Sequence, residues 1–167
     1  MDTDTMQRQL RHLSDRAEII ELVDRYLRSL DEGGLGEGGF GEEWGRAFFT
    51  EDAGSRTPAG EVRGRAEVVR AVASAMALFE RTVHFGTNYL IDIDFTGDRA
   101  TVTGNQLSTH VLRASGELFE SGGRMSHELV RTGEGWRMRR ADLEIVWTRG
   151  AKPVVPGPAP EPEAVLG

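Results

Sequence analysis

An α+β fold, helices first and sheet second, is what the 167-residue sequence predicts. Three observations point to it: apolar residues recur at helical spacing through the first half, the pattern changes to alternation from Val83 onward, and the later apolar runs are joined by short turns. Helices and strands segregated in this way along a chain argue against an alternating α/β arrangement.

Residues 1–13 are polar and are expected to form a frayed, disordered N-terminus. Ser14 or Asp15 offers a helix N-cap, with Glu18 three residues after Asp15 as in a capping box. Ile19, Val23, Tyr26, Leu27 and Leu30 then fall on one apolar stripe, and the helix is expected to stop at Asp31-Glu32-Gly33-Gly34. Residues 33–41 hold six glycines and predict a loop. Residues 42–49 predict a short second helix with Trp44, Ala47 and Phe48 available for burial, and Pro58-Ala59-Gly60 marks a turn. A third helix is expected from near Gly64, turning Val68, Val69, Val72, Met76 and Phe79 inward.

Val83, Phe85, Tyr89, Ile91, Ile93 and Phe95 alternate with His84, Asn88, Asp92 and Asp94, the signature of a strand. Further strands are expected over 100–112, 117–131 and 136–148, with Gly97-Asp98 and Gly133-Glu134-Gly135 as turns, which together make an antiparallel meander. Residues 150–167 contain five of the six prolines and are expected to form a disordered tail. The domain therefore spans 14–149 on this reading.

Composition narrows the function. Hydrophobic residues at 38% and charged residues at 28% suit one soluble core, and a formal charge of −7 without a basic cluster disfavours nucleic-acid binding. The absence of Cys removes disulfides, thiolate metal sites and cysteine nucleophiles. The acidic, polar start has no signal-peptide pattern, and no apolar run approaches the ~20 residues of a membrane span. A cytoplasmic protein without membrane contact is expected. No P-loop, dinucleotide fingerprint, Gly-x-Ser-x-Gly elbow or close metal-ligand spacing is present, so neither a cofactor nor a metal is expected.

Several residues could carry chemistry. Asp31 ends the first helix, where the dipole disfavours a carboxylate; a solvated or capping role is the alternative. Tyr26 lies five positions earlier and could equally be a core tyrosine. His84 and Asn88 share strand parity, with Gly86 between them leaving room for a cavity; an exposed sheet face would explain the same pattern. His110 shares parity with Gln106 and Ser108 on the next strand and could line the same cavity or be structural. His127, with Met125 on its face, lines the pocket or an oligomer interface. A β-bulge would reverse any of these parities.

The ordered set of segments resembles the SnoaL-like and scytalone dehydratase branch of the nuclear transport factor 2-like superfamily. The segments are Glu18 to Asp31, Phe48-Phe49-Thr50-Glu51-Asp52-Ala53, Gly64-Arg65-Ala66-Glu67, Thr82-Val83-His84-Phe85-Gly86-Thr87-Asn88, Gly97 to Val102, and Glu128 through Arg137. The resemblance implies a cone-shaped α+β barrel in which three N-terminal helices pack on a strongly curved, mostly antiparallel sheet around an apolar pocket. It implies a cofactor-independent dehydratase acting on a hydroxylated polycyclic or polyketide-like small molecule. Asp31, His84, Tyr26 and His110 fall at catalytic positions, and Asn88, Trp44, Gln106, Met125 and His127 at substrate-binding ones. In that scheme His84 takes a carbon-bound proton, Asp31 orients it, Tyr26 donates to an enolate oxygen, and His110 or a water protonates the departing hydroxyl. A cyclase or isomerase of natural-product biosynthesis, or a non-catalytic binding subunit, would share the fold. Met125 and His127 depart from the Tyr and Asp that many members carry there, which favours the dehydratase. The resemblance also implies a homo-oligomer, a dimer or trimer.

Overall fold

The computed structural model describes residues 2–154. Helices α1 (Thr3–Asp31), α2 (Glu42–Phe48) and α3 (Arg65–Met76) pack against a six-stranded sheet. Its strands are β1 (Phe49–Thr57), β2 (Gly60–Arg63), β3 (Phe79–Ile93), β4 (Arg99–Leu112), β5 (Leu118–Thr132) and β6 (Gly135–Gly150), in the spatial order β2-β1-β6-β5-β4-β3. All neighbours run antiparallel except β1 and β6, which are parallel. The sheet is therefore mixed, curved and not closed into a barrel. No helix among the described residues is long and apolar enough to cross a membrane.

Five expectations need correction. Helix α1 begins at Thr3, capped by the Asp2 side chain accepting the Thr5 N–H at 2.8 Å, so most of the expected disordered N-terminus is helical. Its first turns lack Gly and Pro and contain good helix formers, and Met6, Leu10 and Leu13 remain exposed there, so propensity rather than burial sustains them. Asp15 is accordingly no cap: it is buried within the helix, where Arg131 on β5 reaches it at 2.6 Å and stacks over Trp136. The Pro58-Ala59-Gly60 turn joins two strands that were not foreseen, β1 and β2. Phe79 opens β3 instead of closing α3. Of the expected disordered tail, Gly150 ends β6 and residues 151–154 have no regular structure; the remainder lies outside the described residues.

The core lies between α1 and the concave face of the sheet. Ile19, Leu22, Val23, Leu27 and Leu30 form the helix stripe, facing Val102, Met125, Leu129 and Met138, while Trp44, Phe48 and Phe49 close one side. Bulges bend the strands over this core. The most consequential lies in β3, where Thr87 pairs with Asn105 but Leu90 pairs with Thr103, so Asn88 and Tyr89 together oppose Gly104. Asn88 there adopts a left-handed φ of 58°, which Asn tolerates better than other non-glycine residues.

The bulge switches the strand's faces. Val83 and Phe85 point outward, Phe85 being 59% exposed, whereas Tyr89, Ile91 and Ile93 pack on the core. The single apolar stripe expected along β3 is thus two stripes on opposite faces, and Asn88 leaves the face of His84. Gly104 makes room for the Tyr89 ring, whose hydroxyl donates to Asp24 on α1 at 2.7 Å.

If the left-handed turn at Asn88 fixes this switch, its replacement has a defined cost. Asn88→Gly should hold stability within about 0.5 kcal/mol, while Asn88→Val should lower it by about 1–2 kcal/mol. Urea denaturation of both variants measures this, and equal stabilities would show that the backbone there is unstrained.

Candidate active site

Asp31 is the last helical residue of α1, at the negative end of the helix dipole, an unfavourable place for negative charge. Strand β3 offsets this with three donors. Thr82 Oγ1 donates to Oδ1 at 2.8 Å, the His84 backbone N–H to Oδ2 at 3.1 Å, and His84 Nδ1 lies 2.7 Å from Oδ1. Since the carboxylate can only accept, the proton of neutral His84 sits on Nδ1 and the lone pair on Nε2. The His84 side chain is 3% exposed and that of Asp31 18%, so the carboxylate is the member of the pair nearer to solvent.

His110 stands beside this dyad on β4. Its ring is 5.2 Å from that of His84, edge to face, and packs on Phe79 at 4.2 Å. Nδ1 lies 3.1 Å from the Phe119 carbonyl, to which it donates, so His110 also turns an unprotonated Nε2 away from its partner. Burial, followed by the nearby His84 charge, pushes its pKa down to about 4, against smaller opposing effects of the Phe119 carbonyl and Asp31. His110 at neutral pH is therefore an acceptor. The expected role as proton donor to a leaving group does not match this resting state.

The concave face continues in polar residues. Ser108 pairs across the sheet with both His84 and Ser121, and Gln106 donates to Ser108 Oγ at 3.2 Å; all three are buried. Together with Thr82 they make a hydrophilic strip in a place where apolar residues would pack more stably. Parity with His110 marks Gln106 and Ser108 in the sequence. Thr82 shares the parity of His84 on β3, while Ser121 becomes visible only once register is known.

The other expected site residues fall elsewhere. Tyr26 joins an aromatic group with Trp44, Phe48 and Phe49 at 5.7–6.0 Å, and His127 lies 6.4 Å from it; the dyad is not among its ring neighbours. Burial raises the Tyr26 pKa to about 12. Trp44, expected to touch substrate, is 0% exposed, and its indole N–H is taken by Ser29 at 2.8 Å. Ser29 in turn donates to the Tyr26 carbonyl, so Trp44 locks α2 to α1 as part of the core. Asn88 lies on the outer face, lining a hollow of about 940 Å³ with Leu90, Asn105, Arg124 and Glu144; that hollow contains none of Asp31, His84, His110 or Tyr26. Met125 and His127 are both buried on the core side of β5. Among the described residues no group of three or more His, Asp or Glu side chains is placed to hold a metal.

Among the described residues, neither ring nitrogen of His127 has a hydrogen-bond partner. Burial lowers its pKa to about 4, the adjoining Ser126 carbonyl and Asp142 opposing this only in part. An unfolded histidine titrates near 6.5, so between about pH 6.5 and 4 the unfolded chain binds more protons. Stability should thus be insensitive to His127 above pH 7 and fall with acidification below 6.5, by at most about 1.4 kcal/mol per pH unit for this group. Denaturant midpoints at pH 7.5 and 5.0 should diverge in the wild type and less so in His127→Leu; an unchanged divergence would contradict the assignment.

Comparison with known proteins agrees with this architecture. The SnoaL-like domain family matches residues 11–142. The Kfla4162 protein of Kribbella flavida superposes with a TM-score of 0.70 at 27% identity, over 83% of this chain and 95% of its own. A scytalone dehydratase-like protein of Novosphingobium aromaticivorans gives 0.75 at 20% identity, over 93% and 99%. A type 2 hexachlorocyclohexane dehydrochlorinase gives 0.73 at 17% identity, over 90% and 98%. The latter two likenesses concern the fold. No curated protein matches the chain. With the family match spanning most of the domain, this chain belongs to the SnoaL-like family.

Proposed function

We propose that the protein is a cofactor-independent dehydratase acting on a hydroxylated, polycyclic or polyketide-like small molecule. The observation that carries this reading is the dyad: a histidine with its basic nitrogen free and its other nitrogen held at 2.7 Å by a carboxylate that is itself fixed by two further donors. That is the arrangement a general base needs, because the carboxylate sets the tautomer and stabilises the imidazolium that forms.

In the proposed reaction His84 Nε2 removes a proton from the carbon next to an activating carbonyl. The C–H electron pair becomes the new C=C bond as the neighbouring C–O bond breaks. The His84 imidazolium returns its proton to the departing hydroxyl, which leaves as water, and the histidine is regenerated neutral. His110 Nε2, an acceptor at neutral pH, takes a hydrogen bond from a substrate hydroxyl and orients it. Gln106, Ser108 and Ser121 offer further polar contacts, and a dry site strengthens each of them.

The state of His110 gives a second reading some support. With His110 an acceptor beside the dyad, return of the proton from His84 to another carbon yields isomerisation or cyclisation without loss of water.

Mass spectrometry of products from a panel of β-hydroxy ketones on fused rings separates the two: loss of water is expected, and unchanged mass would favour the second reading. Asp31→Asn and His84→Ala should each lower kcat by about 100-fold or more with the fold retained. Thr82→Val, which removes one of the donors to Asp31, should cost about tenfold or less, the worth of a single hydrogen bond. Full activity in a folded His84→Ala variant would end the catalytic assignment.

A further inference from the structure

An apolar row crosses the outer face of the sheet, the face opposite the dyad. Phe85 pairs across strands with Leu107, Leu107 with Gly122, and Gly122 with Trp147, so these positions form one line over β3, β4, β5 and β6. The Trp147 ring lies over Gly122, where there is no room for a side chain. Phe85, Leu107 and Trp147, with Val83 on the same face of β3, are each 46–59% exposed. Large apolar side chains gathered in this way, rather than scattered singly, mark a contact surface. Two residues beyond Gly122 on β5, Arg124 is exposed and paired with no carboxylate among the described residues, its cross-strand neighbour Glu144 included.

Residues 155–167 lie outside the described residues, and their sequence suits this row. Pro156, Pro158, Pro160 and Pro162 alternate with other residues, two of which are Glu161 and Glu163. We propose that residues 156–163 of the same chain lie across the row, prolines against Trp147 and Phe85 and the two glutamates beside Arg124. Aromatic faces are the usual docking ground for proline-rich segments, whose fixed φ angles reduce the entropy lost on binding. Reach permits the contact. Trp147 stands three residues, about 10 Å, before the end of β6 at Gly150, and Phe85 lies three strand spacings, about 14 Å, across the sheet. The 13 residues after Val154 span about 40 Å at the rise of a proline-rich chain. Tethering by the few residues after Gly150 makes the contact intramolecular, at an effective concentration in the millimolar range, so a weak interface suffices. A separate molecule has no such advantage.

Acrylamide quenching of tryptophan fluorescence tests this in the full chain, at one low and one high micromolar concentration, with sedimentation velocity at both. Trp44 and Trp136 are buried, so the quenchable emission belongs to Trp147, and Trp147→Phe should remove it. A full-length variant carrying Pro156→Ser, Pro158→Ser, Pro160→Ser and Pro162→Ser should show a quenching constant about twofold or more above wild type, at a monomer's mass and at both concentrations. Arg124→Glu should raise the constant by a smaller factor, because it removes the charge contact and leaves the prolines in place. Equal quenching in wild type and the four-proline variant would overturn the proposal. Protection of Trp147 that appears only at the higher concentration, together with a doubled mass, would overturn it too, since a second copy of the chain then covers the row.

Discussion

A carboxylate at the wrong end of a helix is the constraint on which the rest of this structure turns. Asp31 gains nothing from the α1 dipole, and its cost is met by hydrogen bonds from Thr82, the His84 backbone and the His84 ring. The same bonds tie the end of α1 to the first half of the sheet's edge strand β3. They also leave the His84 tautomer no choice. One set of contacts therefore serves as helix terminus, as tertiary link and as activation of a base.

Around this link the interior is polar to a degree that packing does not require. Gln106, Ser108, Ser121, His110 and His127 are buried on the concave side, and only some of their polar atoms are paired. A core built for stability would hold leucine or valine at these places. Retaining such residues at a cost in stability is the usual mark of a site whose partners arrive with a ligand. The genuinely apolar core, from Ile19 to Leu30 against Met125, Leu129 and Met138, lies beside this strip and supplies the rigidity that holds it.

Much of this was legible from the residues. Helical spacing in α1 and α3, alternation in the later strands and the shared parity of Gln106, Ser108 and His110 lead to the fold and to most of the polar strip. What misled was local chemistry overriding a pattern. Ser14 and Asp15 have the form of a helix start, but Asp2 caps the helix and Asp15 serves Arg131. Asn88 has the parity of His84, but a bulge with left-handed Asn88 sends it to the other face. Trp44 has the size of a pocket wall, but Ser29 claims its only polar atom. Bulge positions and side-chain pairings depend on which strands become neighbours, and that information is spread over the whole chain.

The central claim is that Asp31 fixes the protonation pattern of His84. Long-range ¹H–¹⁵N correlation spectra of histidine-labelled protein at pH 7.5 test it directly. A neutral His84 ring protonated at Nδ1 and bare at Nε2, losing that preference in Asp31→Asn, is the predicted result. A ring protonated at Nε2, or one whose tautomer is unaffected by the substitution, would contradict it.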